Sequence, residues 1–442
     1  MGKRHRRVLA AAILPAFLPA CAAAVRGPAL TPEQRRLHLE SFDQAWSTVR
    51  DKHFDPALGG LDWDAVRDEL RPRVGRARTG DEVRDVLSEM IGRLKQSHFQ
   101  IIPGDIYQST EGSLASGVRG TAGIDARVFD GRALVTRVVP ESPAQKAGIR
   151  PGWEIRTLAA RDVRSELQRI ARRYAGRPDR DAVLASTVLS SLAGPIERRV
   201  PMTLRDGAGR TRRVELARIR PEGWTSRPMG HVPAMTVSFR SERIDGRTGY
   251  LTFNAFLDPG RLMPIFNQAV SSFLDADGLI IDLRGNTGGI GDMLAGMAGW
   301  FIDARGTAMG TMITRAGPLK LAVAPRPVRF TGPIAVLVDE LSMSASEVLA
   351  QGLRDAGRAR IFGRRSAGAV LAAMIERLPN GDGFQYPIAR FEFTSGTVVE
   401  GVGVIPDVEV RPTRDTLLAG RDVALEAAIQ WIRHVSPKGP TS

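Results

Sequence analysis

Two stretches of this 442-residue chain repeat one local order, and the repeat narrows the folds open to it. Asp277 to Arg284 is an apolar run with the length and β-branched content of a buried strand, closed by the small-residue turn Gly285-Asn286-Thr287-Gly288-Gly289. Ile334 to Val338 is a second such run. After Asp339-Glu340 the pattern turns helical, with Val348, Leu349 and Leu353 on one face. Buried strands that end in tight turns and lead into helices belong to a layered α/β core of stacked βα units.

The second turn can carry chemistry. It holds Ser342, Ser344 and Ser346, and one of them lies at the first turn of a helix, whose free N–H groups and positive dipole end stabilise an oxyanion. Ser344 reads as a nucleophile on that ground. Ser344-Ala345-Ser346-Glu347 is equally how an ordinary helix begins, with a serine cap and an acidic first turn, and local sequence does not separate the two. The glycine turn is open in the same way. It is either a plain strand end or a place where backbone approaches a substrate and donates N–H groups. It is not a phosphate loop, because no Gly-Lys-Ser/Thr follows.

A chain this long exceeds a single core, so two or three domains are expected. Leu37, Phe42, Ala45, Trp46 and Val49 recur at helical spacing, as do Trp63, Val66 and Leu70, and then Val83, Leu87, Met90 and Leu94. This predicts a helical domain over residues 31–111, which contains Gln96-Ser97-His98-Phe99. Residues 117–220 alternate as strands around a helical excursion. A Pro/Gly-rich connector follows, and the α/β core is expected over 240–434.

The formal net charge is +14, but the arginines are scattered, without basic blocks or aromatic interleaving. That argues against a nucleic-acid groove and fits a solvated basic surface near anionic lipid. Lys3, Arg4, Arg6 and Arg7 followed by apolar Val8 to Leu18 read as an export signal, since the run is too short to span a bilayer. Cys21 is the single cysteine, so disulfides and thiolate metal sites are excluded.

Several of these stretches resemble known families. Leu18-Pro19-Ala20-Cys21 is similar to the lipobox of bacterial lipoproteins, which implies lipidation of Cys21, a signal over residues 1–21 and an envelope location, with the outer membrane preferred. Gly123 to Val139 followed by Pro140-Glu141-Ser142-Pro143-Ala144-Gln145-Lys146-Ala147-Gly148-Ile149-Arg150-Pro151-Gly152 resembles a bacterial PDZ domain. Such a domain captures an extended peptide, with the loop Thr121, Ala122, Gly123 and Ile124 as the expected carboxylate-binding backbone.

The order of parts matters more than any one of them. A helical domain, a PDZ, Asp282-Leu283-Arg284-x-Asn286-x-Gly288-Gly289, Ser344-Ala345-Ser346-Glu347 and Glu400-Gly401-Val402-Gly403-Val404-x-Pro406-Asp407 resemble the tail-specific, C-terminal processing peptidases and the tricorn core peptidases. The resemblance implies a ClpP/crotonase-like core and a serine peptidase without cofactor or metal; oligomeric state stays open. In the processing branch a lysine in a Phe-Gly-Lys-Gly context is the base. Here the stretch is Phe362-Gly363-Arg364-Arg365-Ser366, and Lys438 is the only lysine after Ser344. Arginine stays protonated and cannot replace it. The tricorn branch uses a serine-histidine pair and a glutamate, which implies His98 as base, with Glu400 acting through Ser97 to orient it. Ala345 with Gly288 or Gly289 would hold the oxyanion. Asp355 reads as a helix end. The competing functions are a peptide-binding pseudoenzyme built on the PDZ, an apolar-ligand module like the retinoid-binding repeats of the same family, and a crotonase-type acyl-CoA enzyme.

Overall fold

The computed structural model describes residues 29–436, apart from 105–106, 108–118, 229–233 and 304–305. The expected export signal and Cys21 lie outside the described residues. At the centre is a six-stranded sheet in the order Phe239–Ile244, Thr248–Phe253, Gly278–Asp282, Ile334–Val338, Ala359–Gly363, Val408–Glu409. All neighbours pair in parallel except the antiparallel edge strand Phe239–Ile244.

Period-two alternation decides which face each side chain meets. Leu279, Ile281, Val336 and Val338 point into a core formed with the helices Pro259–Ser272, Asp292–Ala298 and Ala345–Asp355. Ile280, Ala335 and Leu337 point the other way and are covered by Ala428 and Ile432 of the helix Val423–Val435. Both faces are therefore buried, as a parallel sheet requires.

The register has a direct consequence for the site. Leu279 pairs with Ile334 and Asp282 with Leu337, so the two strands end at one edge of the sheet. The turns that leave them, Gly285–Gly289 and Asp339–Ser344, begin side by side. Carboxyl ends of parallel strands are where α/β folds place their sites.

A second sheet runs in the order Gln100–Ile102, Gly383–Glu392, Ala308–Thr314, Gly317–Ala322, with Ala372–Arg377 also paired to Gly383–Glu392. Against it packs a helical layer, Pro32–Lys52, Trp63–Arg76 and Gly80–Gly92. Thr31, Asp62 and Thr79 cap these three helices by accepting N–H bonds in the first turn. Phe42, Leu70, Leu87 and Met90 share one core with Phe384 and Tyr386 of the sheet and with Leu378 just after its strand Ala372–Arg377. The strand Gln100–Ile102 then pairs antiparallel with Gln385–Gly383, which anchors the segment just before it.

Residues 124–217 form a β-rich insertion, a sheet in the order Ile124–Phe129, Arg132–Val138, Glu154–Leu158, Arg199–Arg205, Thr211–Ala217, with helices Val163–Arg173 and Arg180–Leu192. It meets the core through a small apolar cluster of Ala182 and Ala185 with Leu341, Met343 and Ala367, and through polar contacts. Arg127 donates to Asp339 at 2.8 Å, and Arg365 donates to the Pro178 carbonyl at 3.3 Å.

Phe384 is fully buried where the helical layer meets the second sheet. Phe384→Ala should lower the unfolding free energy by about 3–5 kcal/mol, the usual cost of emptying a buried aromatic site. Urea denaturation measures it, and a loss below about 1 kcal/mol would contradict tight docking of the two layers.

Candidate active site

Two of the three serines in the turn after Val338 are committed to structure. Ser342 Oγ donates to the Leu283 carbonyl at 2.8 Å and accepts the Asp339 N–H at 3.0 Å. Ser346 Oγ lies 2.9 Å from the Asn286 carbonyl and 2.8 Å from its side-chain Oδ1. Both side chains therefore staple the serine turn to the glycine turn. Ser344 is the N-cap of the helix Ala345–Asp355 and sits at φ 52°, ψ −114°, a conformation that costs a non-glycine residue about 1–3 kcal/mol. Its N–H holds it there, donating to the Glu347 carboxylate at 2.9 Å and to the Ala369 carbonyl at 2.9 Å. The Ser344 hydroxyl makes no side-chain cap bond and donates to no acceptor among the described residues, so its hydrogen stays uncommitted.

The glycine turn touches this serine. A β-carbon on Gly288 would stand 2.9 Å from Ser344 Cβ and 3.1 Å from Ala345 N, and one on Gly289 would collide with the Phe256 carbonyl. Only glycine fits either place. The Gly288 N–H donates to Asn286 Oδ1 at 2.9 Å, whereas the N–H groups of Gly289 and Ala345 have no acceptor among the described residues. Asn286 organises the turn. It is fully buried, its Nδ2 donates to the Phe253 carbonyl at 2.7 Å, and its carbonyl accepts the Met343 N–H at 3.0 Å. Sequence reasoning quoted Asn286 only as part of a motif; an asparagine in a small-residue turn beside a serine turn was the signal.

Ser97 and His98 arrive from the end of the helical layer, with His98 in the left-handed region at φ 61°. Ser97 Oγ lies 2.7 Å from His98 Nδ1 and donates to Glu400 Oε2 at 3.0 Å, while the Ser97 N–H reaches Glu400 Oε1 at 2.9 Å. Glu400 Oε2 also accepts the Val370 N–H at 2.9 Å. A serine has one hydrogen to give, and here it goes to the carboxylate. His98 must then be the donor in the 2.7 Å contact, which assigns its proton to Nδ1 and leaves Nε2 as the bare acceptor. His98 Nε2 is buried and without a hydrogen-bond partner among the described residues. Burial pushes the His98 pKa down to about 3. Burial also raises that of Glu400, against the donors that converge on it.

Ser344 and the hydrogen-bonded chain of Glu400, Ser97 and His98 meet on one stretch of sequence. The Ala369 carbonyl takes the Ser344 N–H, and the next N–H, of Val370, goes to Glu400. Asp282 and Arg284 support the site from outside: Arg284 grips both Asp282 and Asp422, and the Tyr250 hydroxyl donates to Asp282 at 2.8 Å. In the insertion, the Thr121 N–H is already given to the Ile219 carbonyl and the Gly123 N–H to Thr121 Oγ1, while Ala122 and Ile124 are buried. A cavity of about 1230 Å³ lies between insertion and core. Its wall includes Ile124, Arg127, Gly285, Thr287 and Leu341 but not Ser344, His98 or Glu400, so it adjoins the two turns without enclosing the serine.

Known proteins are similar to this chain in sequence and in fold. Residues 247–410 match the model of peptidase family S41, and residues 36–92 match that of the tricorn protease C1 domain. Two tricorn protease homologues of Streptomyces coelicolor are 28% and 27% identical over 408 and 407 residues, each covering 88% of this chain; the chain spans about a third of their length, 32% and 34%. A carboxyl-terminal-processing protease of Picosynechococcus is 26% identical over 372 residues, 84% of this chain and 82% of that protein. Among solved structures, a photosystem II D1 C-terminal processing protease superposes with a TM-score of 0.56 at 23% identity, over 89% of this chain and 99% of the other. Residues 247–410 are thus similar to peptidase family S41, and the chain as a whole is similar to the carboxyl-terminal-processing and tricorn proteases.

Proposed function

We propose that this chain is a serine endopeptidase of the cell envelope that cleaves peptides or protein tails through an acyl-enzyme, with Ser344 as nucleophile and His98 as base. The observation that carries the reading is the chain Glu400–Ser97–His98, whose far nitrogen is bare, buried and unspent. His98 Nε2 takes the Ser344 proton as Oγ attacks the substrate carbonyl. The resulting oxyanion lies between the N–H groups of Ala345 and Gly289, each worth about 3 kcal/mol to the transition state. His98 then gives the proton to the departing amine, and a water activated by the same nitrogen hydrolyses the ester. Glu400, through Ser97, fixes the tautomer and steadies the imidazolium while it exists. Gly288 belongs to this arrangement as the residue whose missing side chain admits Ser344, since its own N–H serves Asn286.

The wider reading is of a helical domain at 31–111, a PDZ at 117–220 that takes an extended peptide, and a ClpP/crotonase-like core at 240–434. The basic, apolar start of the chain and Cys21 support a lipid anchor in the envelope. In the PDZ loop, only N–H groups other than those of Thr121 and Gly123 are available to a carboxylate. The competing reading, a peptide-binding pseudoenzyme, rests on the missing lysine; the complete histidine relay favours catalysis.

A fluorophosphonate should label the wild-type protein and neither Ser344→Ala nor His98→Ala, with peptide turnover in Ser344→Ala down by a factor on the order of 10⁶. A folded wild type that stays unlabelled would hand the function to peptide binding.

A second test reads the buried base. His98 stays neutral in the folded protein well below its ordinary 6.5, while the unfolded chain takes the proton, so its contribution to stability is complete above about pH 6.5 and is lost as pH falls towards about 3. The stability difference between wild type and His98→Asn should therefore fall by up to about 1.4 kcal/mol per pH unit between about pH 6 and 4. A difference that stays flat would mean that the imidazole is not held neutral.

A further inference from the structure

Glu347 is more than a helix cap. Its carboxylate is fully buried and accepts four hydrogen bonds: Ser366 Oγ at 2.6 Å and the Gly368 N–H at 2.7 Å on one oxygen, the Ser344 N–H at 2.9 Å and the Ala369 N–H at 3.0 Å on the other. A cap needs only the third of these. The others belong to a stretch some twenty residues downstream, Ser366 to Val370, and that stretch is tied along its whole length.

The ties go alternately to the nucleophile turn and to the segment that carries Glu400. Ser366 Oγ gives its hydrogen to Glu347 and accepts the Val404 N–H at 2.6 Å. The Ala367 N–H donates to the Ser342 carbonyl at 3.1 Å, and the Gly368 carbonyl accepts the Gly401 N–H at 2.8 Å. Ala369 exchanges with Ser344 and Glu347, and Val370 donates to Glu400. No side chain fits at Gly368, where a β-carbon would come within 2.8 Å of the Gly403 nitrogen. The stretch is thus a hydrogen-bonded strap between nucleophile and relay, following directly on the Arg364-Arg365 pair where the processing branch would carry its lysine.

We infer that Glu347 and Ser366 are positioning residues of the reaction: the buried carboxylate and its serine partner lock the strap that sets Ser344 in register with the Glu400–Ser97–His98 relay. The inference rests on the peptidase reading above. It makes Glu347 act on the chemical step without touching substrate. Glutamine in its place keeps the size but turns one acceptor into an N–H₂ group facing donors, so a pair of N–H or O–H bonds must break and the strap must shift. A misplacement of about 1 Å at a reacting group can cost about 10²-fold in rate.

Fluorophosphonate inactivation separates positioning from binding, because the rate constant kinact reads the activated serine and KI reads occupancy. With folding confirmed by circular dichroism, Glu347→Gln should lower kinact by about 10²-fold and Ser366→Ala by about tenfold, with KI within about twofold of wild type. Ser366→Thr, which keeps the hydroxyl, should recover most of the loss. Folded variants whose kinact stays within about twofold of wild type, or whose defect lies in KI alone, would overturn the inference. If Glu347→Gln does not fold, Ser366→Ala decides alone. A wild type that does not react removes the peptidase reading, and this inference with it; a reactive wild type with unchanged variants removes only this inference.

Discussion

The parallel pairing of Leu279–Asp282 with Ile334–Leu337 is the constraint on which the site depends. It delivers two turns to one edge of the sheet, and every later contact assumes that placement. Ser342 reaches the Leu283 carbonyl, Ser346 and Met343 reach Asn286, and the Gly285 N–H reaches Asp339 at 2.8 Å. A slip of one residue by either strand would send its core side chains to the wrong face and part all four links at once. Sequence position, core packing and site geometry are therefore one specification. The apolar runs choose the register, and the register chooses where Ser344 can stand.

Around that edge the protein buries charge, and the burial is compensated in different ways. Burial raises the pKa of Asp339, but the Arg127 guanidinium and the Gly285 N–H outweigh it and hold the group below its ordinary value. Glu347 has four donors but no cation, and burial leaves it at about 7. Glu340, beside Asp339, is likewise pushed up to about 7, with Arg364 at 2.9 Å on one oxygen and no partner for the other among the described residues. The signs oppose each other. A carboxyl whose folded pKa is raised from 4.5 to about 7 stabilises fully below the lower value and loses that contribution as pH rises through the upper one. A histidine held neutral does the reverse on the acid side. The site is thus bounded by protonation on both flanks of neutrality.

Much of this was legible in the sequence where the information is local. Ile334–Val338 and the helix after it follow directly from an apolar run and a change of period, and the three N-terminal helices follow from their spacing. What could not be read is what depends on pairing across long separations. That Ser342 and Ser346 are committed elsewhere is visible only when Leu283 and Asn286 claim them. Ser97 and Glu400 are 303 residues apart, and no periodicity links them; family resemblance alone brought them together. Glu347 looked like a cap because its first-turn position is local, while Ser366, Gly368 and Ala369 are not. The strand Gly383–Glu392 escaped because Pro387 interrupts its pattern and its partners include the distant Gln100.

The proposed base, His98, comes from outside the core, and that placement changes what the rest of the fold must do. A lysine on a core strand would share the rigid frame of its serine, but His98 is carried by a segment that belongs to the helical layer. It is held by the short pairing of Gln100–Ile102 and by the two bonds from Ser97 to Glu400. The segment is also strained, with Lys95 at φ 53° and His98 at φ 61°. Each such conformation costs about 1–3 kcal/mol unless the surroundings over-determine it, and the charge-assisted bonds to Glu400 are what offset it here. The apolar contact of Phe42, Leu87 and Phe384 then has two duties, stability and registration of His98. Loss of that contact would free the histidine before it unfolded the core, because the central sheet is buried by its own helices and does not need the helical layer to stand.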